Sequence, residues 1–168
     1  HGDKGAPVHP DGTPVYHGVP KSYEAAKSDG ERWRWLLFQA TELNAARANE
    51  VRMVFANFLY SQFSVQTMAR YRWYFRTRWT EDDKKDESGT YDLHTLGRGE
   101  TIARLATGTK RFKLPDEFNF IKVYQQVADS GKSSHGENAL HKLAGLFENR
   151  RQYDTGADYW KRSIKEYG

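Results

Sequence analysis

Apolar residues recur along most of this chain at three- and four-residue steps, the spacing that lines one face of an α-helix. From Ser22 to Asn44 that face is Ala25, Ala26, Trp33, Leu36, Leu37, Ala40 and Leu43, and Gly30 is expected to separate two helices within it. Asn44 is placed to cap the next helix, whose face is Val51, Val54, Phe55, Phe58, Leu59 and Gln62 or Phe63. Residues 31–66 therefore read as a helical hairpin. Further on, Ile102, Leu105 and Ala106 predict a short helix ending near Gly108. Leu114 and Pro115 open another, with Asp116 and Glu117 at its positive end and Phe118, Ile121, Val123 or Tyr124, and Val127 as its apolar face.

Two stretches depart from this period. Residues 1–20 hold Pro7, Pro10, Pro14 and Pro20 with Gly2, Gly5, Gly12 and Gly18, which break any regular element and read as an extended arm or linker. Residues 70–79, RYRWYFRTRW, alternate instead: Tyr71, Trp73, Phe75 and Trp79 stand at odd positions, and Arg70, Arg72, Arg76 and Arg78 at even ones. That alternation, with the charged EDDKKDESG run after it and TYDLHT beyond, gives a small β-hairpin near 70–95 as the alternative to helix and loop.

The segment Glu137 to Gly168 resembles a tetratricopeptide repeat, a pair of antiparallel helices of about 34 residues with small residues where the helices touch. Leu143 and Ala144 stand at the family's Leu-Gly pair, and Phe147 at its aromatic position. Tyr153 opens the second helix after Asn149, Arg150, Arg151 and Gln152. Gly156 and Ala157 supply the small contact, Trp160 the large aromatic, Ser163 the next small position and Ile164 the following apolar one. Leu140 replaces the Trp frequent near the first helix start, and Gly168 falls where Pro often stands.

More widely, ETIARLATGTKRFKLPDEFNF and ALHKLAGLFENRRQYDTGADYWKRSIKEYG look like the N-terminal helical-repeat region of large bacterial alpha-2-macroglobulin-like proteins. That resemblance implies an exported protein, periplasmic or extracellular, with a cytoplasmic location as the alternative. The family's thioester chemistry requires a Cys, and this chain has none, so no protease trapping is assigned to it. A start at His1 rather than Met and an end inside an apolar-periodic run suggest a fragment of a larger protein.

Composition bounds the rest. The 168 residues carry 26 Lys and Arg against 22 Asp and Glu, a net charge of +4, and no Cys, which excludes disulfides and thiolate metal sites. Aromatic residues make up 14% of the chain, enough apolar surface for a folded domain. No run of about 20 uncharged apolar residues is present to span a membrane.

Candidate chemistry is sparse. Gly131-Lys132-Ser133 imitates the end of a phosphate loop, but Gln126 stands where the earlier Gly belongs. His1, His9, His17, His94, His135 and His141 include no pair at helical metal-ligand spacing. Asp82-Asp83 and Asp116-Glu117 suit a solvated turn and a helix start better than acid–base catalysis. Arg70, Arg72, Arg76, Arg78, Trp73 and Trp79 would suit single-stranded nucleic acid, against which the adjoining acidic run from Glu81 to Glu87 weighs.

The reading is a mainly α fold: an arm over residues 1–20, then one repeat-like domain over 21–168 of antiparallel helix pairs stacked as in tetratricopeptide repeats. Its expected role is a non-catalytic interaction or spacer module with no catalytic residue, cofactor or metal. The expected partner is a protein, a peptide or adjoining domains of the same chain, with self-association through the C-terminal helix. A nucleic-acid-binding module built on residues 70–79 is the alternative.

Overall fold

A computed structural model describes residues 5–65 and 92–168, and the architecture below is that of these residues. In chain order they form α1 (Asp29–Leu43), α2 (Ala48–Phe63), β1 (Glu100–Leu105), β2 (Gly108–Lys113), α3 (Phe120–Ala128), α4 (Ser134–Asn149) and α5 (Tyr153–Tyr167). The fold is mainly α with one small antiparallel hairpin. Helices pack in series, α1 on α2, α2 on α3, α3 on α4 and α4 on α5, while α2 also touches β1 and α4.

The first helix is one element that starts later than its periodicity suggests. Residues 22–28 form turns and bends, and the Ser28 side chain caps α1 by accepting from the Glu31 N–H. Gly30 lies inside its first turn, where a Cβ would come 2.4 Å from the His17 ring. Among the described helices α1 packs on α2, so Trp33 and Leu37 reach the core whereas Leu36 and Leu43 of the predicted face stay exposed. Asn44 caps the 3-10 turn Ala45–Arg47 by accepting from the Ala46 N–H, and α2 itself begins without a side-chain cap. Met53, Phe55, Ala56, Leu59 and Phe63 form the buried face of α2, while Val54 is exposed.

Residues 100–105, expected as a short helix, are a strand. Glu100 pairs with Lys113 through to Leu105 with Gly108, and Gly108 at φ +118° closes the tight turn. The alternation that marks a half-exposed strand is masked because Ile102 is buried on the face it shares with half-buried Glu100 and exposed Arg104, while Ala106 lies beyond the strand. Ala103 and Leu105 enter the main core, and Ile102 joins Val65, Leu93 and Leu96 in a second cluster. This hairpin is at 100–113, and the one expected as the alternative near 70–95 falls mostly outside the described residues. Of that earlier range, Leu93–Thr95 form a 3-10 turn, and residues 70–91 lie outside the described residues.

The described part of the N-terminal arm is docked on this hairpin. The Ala6 N–H donates to the Arg104 carbonyl and the Ala106 N–H to the Ala6 carbonyl, each at 2.8 Å, and Val8 bridges to Pro14. Tyr16 stacks on Phe118 with ring centroids 4.8 Å apart.

The core centres on α3. Pro115 introduces the 3-10 turn Asp116–Phe118, and Asn119 caps α3 by accepting from the Ile121 N–H, so the helix starts five residues after Pro115. Phe118, Ile121, Val123, Tyr124 and Val127, the predicted face, are all buried, as is Phe120. Each fully buried side chain of this size contributes about 1.5–3 kcal/mol of transfer free energy.

Candidate interaction surface

The α4–α5 pair is built from small residues at its seam. Ser133 caps α4 by accepting from the Gly136 N–H, and Ala139, Leu140, Leu143, Ala144, Leu146 and Phe147 form its buried face. Arg151, at φ +57°, reverses the chain, and Tyr153 opens α5 as the sequence predicts. A Cβ on Gly156 would meet the Ala144 carbonyl oxygen at 3.2 Å, and buried Ser163 shares a 2.9 Å hydrogen bond with His141 Nε2. Ala144 and Ser163 thus sit where small residues are needed for helices to approach.

The same helix is tied to α3 by polar contacts. Arg162 binds Asp129 at 2.6 Å, donates to the Ala128 carbonyl at 3.0 Å and reaches Glu166 at 2.7 Å. Gln125 Nε2 donates to the Tyr159 hydroxyl at 2.8 Å. These contacts occupy the inner side of α5 and fix which side faces out.

That outer side carries an apolar row. Tyr153 is 63% exposed, Trp160 37% and Ile164 70%, with half-buried Ala157 between them at steps of four, three and four residues. Such a row lies along one face of a helix. The Trp160 Nε1–H donates to Glu148 Oε1 at 2.7 Å, and its ring lies 5.0 Å from that of His141, so the indole is held upright against α4. Gly145 lies on exposed α4 surface with nothing within 4 Å of the position its Cβ would take. Of these two residues expected in the packing of the pair, Trp160 rests on α4 with part of its ring exposed, and Ile164 turns outward. No further helix covers them among the described residues.

An open groove of about 520 Å³ lies at the start of α5, lined by His94, Leu96, Arg98, Phe147, Gln152 and Tyr153 among others. Gln152 spans it, donating through Nε2 to the carbonyls of His94 and Leu96 at 3.1 and 2.7 Å. Arg150, in the stretch read from sequence as the turn before α5, is 1% exposed. Its guanidinium lies 5.8 Å from the Phe120 ring centroid and donates to the Gly97 carbonyl at 3.4 Å, while its Nη2 has no hydrogen-bond partner among the described residues. Burial pulls its pKa down to about 10. Arg34 is a second buried cation, 3.5 Å over the Phe55 ring and bound to Glu117 at 3.1 Å. Burial lowers its pKa, and Glu117 acts against that shift.

The remaining sequence candidates separate in space. Arg70, Arg72, Trp73, Arg76, Arg78 and Trp79, with Asp82 and Asp83, lie outside the described residues. Asp116 pairs with Lys122 at 2.6 Å and Glu117 with Arg34, so the two carboxylates serve different partners. Gly131 and Ser133 form the entry to α4, with Ser133 spent on its cap. Among the described residues no three His, Asp or Glu side chains gather as a metal-binding group, and no helix is long and apolar enough to cross a membrane. No known protein family, curated protein or solved structure matches the chain.

Proposed function

We propose that the chain is a non-catalytic helical interaction or spacer module, and that it belongs to a larger exported protein of the alpha-2-macroglobulin-like kind. The observation that carries the interaction reading is the outer row of α5, where Tyr153, Trp160 and Ile164 hold apolar surface in water on a helix otherwise anchored by α3 and α4. Exposed apolar groups aligned on one element mark contact surfaces far more often than scattered ones do. The serial packing of α1 to α5 adds support, since stacked helix pairs bury a core between neighbours and leave the terminal faces open. The exported-scaffold part rests on the resemblance of residues 100–120 and 139–168.

Two experiments test the two parts. Trp160→Ser with Ile164→Ser is expected to leave the helical circular dichroism and the melting temperature within a few degrees of the parent while lowering binding of an apolar dye. Cooperative unfolding lost in that variant would make the row part of the core and overturn the interaction reading. For the scaffold reading, the gene's flanking sequence is expected to encode a signal peptide upstream and β-rich modules downstream, and a cytoplasmic reading frame without them would overturn it.

A further inference from the structure

The outer face of α5 carries a second regularity beside its apolar row. Each member of that row is followed by a charged residue: Tyr153 by Asp154, Ala157 by Asp158, Trp160 by Lys161 and Ile164 by Lys165. One residue along a helix is about 100° around it, so the charges form a parallel row flanking the apolar one on a single side. The charged row is exposed throughout, and the apolar row is exposed but for half-buried Ala157. The flank is acidic in the first half of the helix and basic in the second.

We infer that this face binds a second copy of the same chain, α5 against α5 in antiparallel orientation about a two-fold axis near Tyr159. The inference rests on the interaction reading above and names its occupant. In an antiparallel pair the two-fold axis sets each flank against the same flank of the partner. Reversing α5 then lays Asp154 opposite Lys165 of the other copy and Asp158 opposite Lys161, so all four charges meet their opposites twice over. The apolar row is symmetric about nearly the same point, with Tyr153 meeting Ile164 and Ala157 meeting Trp160. A small residue opposite a large one is what close helix approach requires.

Within one chain these charges are poorly used. Lys161 and Asp158 stand 3.5 Å apart with both side chains about three-quarters exposed, a pair that water screens. Asp154 and Lys165 form no ion pair among the described residues. The exposed apolar residues of α1, Leu36, Phe38 and Leu43, lack this symmetry, since Phe38 stands about 200° around the helix from Leu36 and the three form no single row. One helix face is a small isologous contact, and it gives an association on the order of micromolar strength.

Sedimentation of four full-length chains tests this. The parent is expected to show a concentration-dependent monomer–dimer equilibrium. Asp154→Lys with Asp158→Lys, whose flank is wholly basic, is expected to weaken dimerisation at least tenfold, and Lys161→Asp with Lys165→Asp, wholly acidic, to do the same. Mixed in equal amounts, these two variants are expected to form a heterodimer, and the chain carrying all four changes to regain the homodimer. A monomeric parent up to hundreds of micromolar overturns the inference, as does dimerisation indifferent to the charge changes or growth beyond dimers into open chains. A monomeric parent whose α5 row still binds apolar dye would remove the second copy as occupant and leave the interaction reading standing.

Discussion

Gly156 of α5 and Ala144 of α4 meet backbone to backbone, with the Ala144 carbonyl oxygen 3.2 Å from where a Cβ on Gly156 would stand. Glu148 Cγ closes the same space at 3.2 Å. Gly156→Leu, or Ala144→Phe from the other side, forces the helices apart and is expected to cost about 1–3 kcal/mol by overpacking. For a chain of this size that is a fall in melting temperature of about 2–12 °C. An unchanged melting temperature would show that the seam is looser than this contact requires.

Arg150 is expected to matter for its shape more than its charge. It is buried with one long hydrogen bond to Gly97 and an Nη2 unpartnered among the described residues, and burial opposes its charged form. Replacing a poorly paired buried cation by an apolar group of similar length costs little. Arg150→Met is predicted to stay within about 1 kcal/mol of the parent in denaturant unfolding, and Arg150→Ala to lose about 2–4 kcal/mol through the cavity it leaves. Equal losses in the two variants would show that the guanidinium itself is required.

The arm depends on Gly5. Its φ is +72°, and a Cβ would lie 2.6 Å from the Leu105 carbonyl carbon and oxygen, backbone atoms that cannot turn aside. Gly5→Ala is predicted to break the paired hydrogen bonds of Ala6 to β1 and to expose residues 6–16 to proteolysis. Cleavage at the parent's rate would place the arm's anchorage elsewhere, at Tyr16.

Glu100 gives a pH dependence of definite sign. The Arg111 side chain, bonded to it at 2.8 Å, and the Gly97 N–H hold its carboxyl below the usual value. A lowered folded-state pKa contributes stability that is present above the ordinary carboxyl range and lost as pH falls through the folded value. The carboxylate is 38% exposed, so screening limits the effect to roughly a few tenths of a kcal/mol. Glu100→Gln is predicted to have a lower denaturation midpoint than the parent at pH 7 and the same midpoint near pH 3. A difference that persists at low pH would assign the effect to shape instead.

Sequence period recovered the elements whose burial is one-sided. The face of α3, the start of α5 at Tyr153 and the small residues of the α4–α5 seam were all readable, because helical spacing alone specifies which residues share a side. Coverage was not readable. Leu36 and Ile164 lie in rows with the right period, and whether a neighbour packs on them is decided by residues far away in the chain. The strand at Glu100–Leu105 was hidden by Ile102, an apolar residue on the face of Glu100 and Arg104, although Thr107-Gly108-Thr109 is a turn signal that the spacing of Ile102 and Leu105 overrode. Arg150 had a signal of its own: it continues the Leu143, Phe147 face of α4 by three further residues, and its charge masked that placement.

The central claim is that the outer row of α5 is the working surface of this chain. Hydrogen exchange, followed peptide by peptide at low and high protein concentration, tests it most directly. The prediction is slow exchange in α3 at both concentrations and protection that rises with concentration across residues 153–167 alone. Exchange in α5 that ignores concentration, or protection that grows instead around Leu36 and Leu43 of α1, would contradict it.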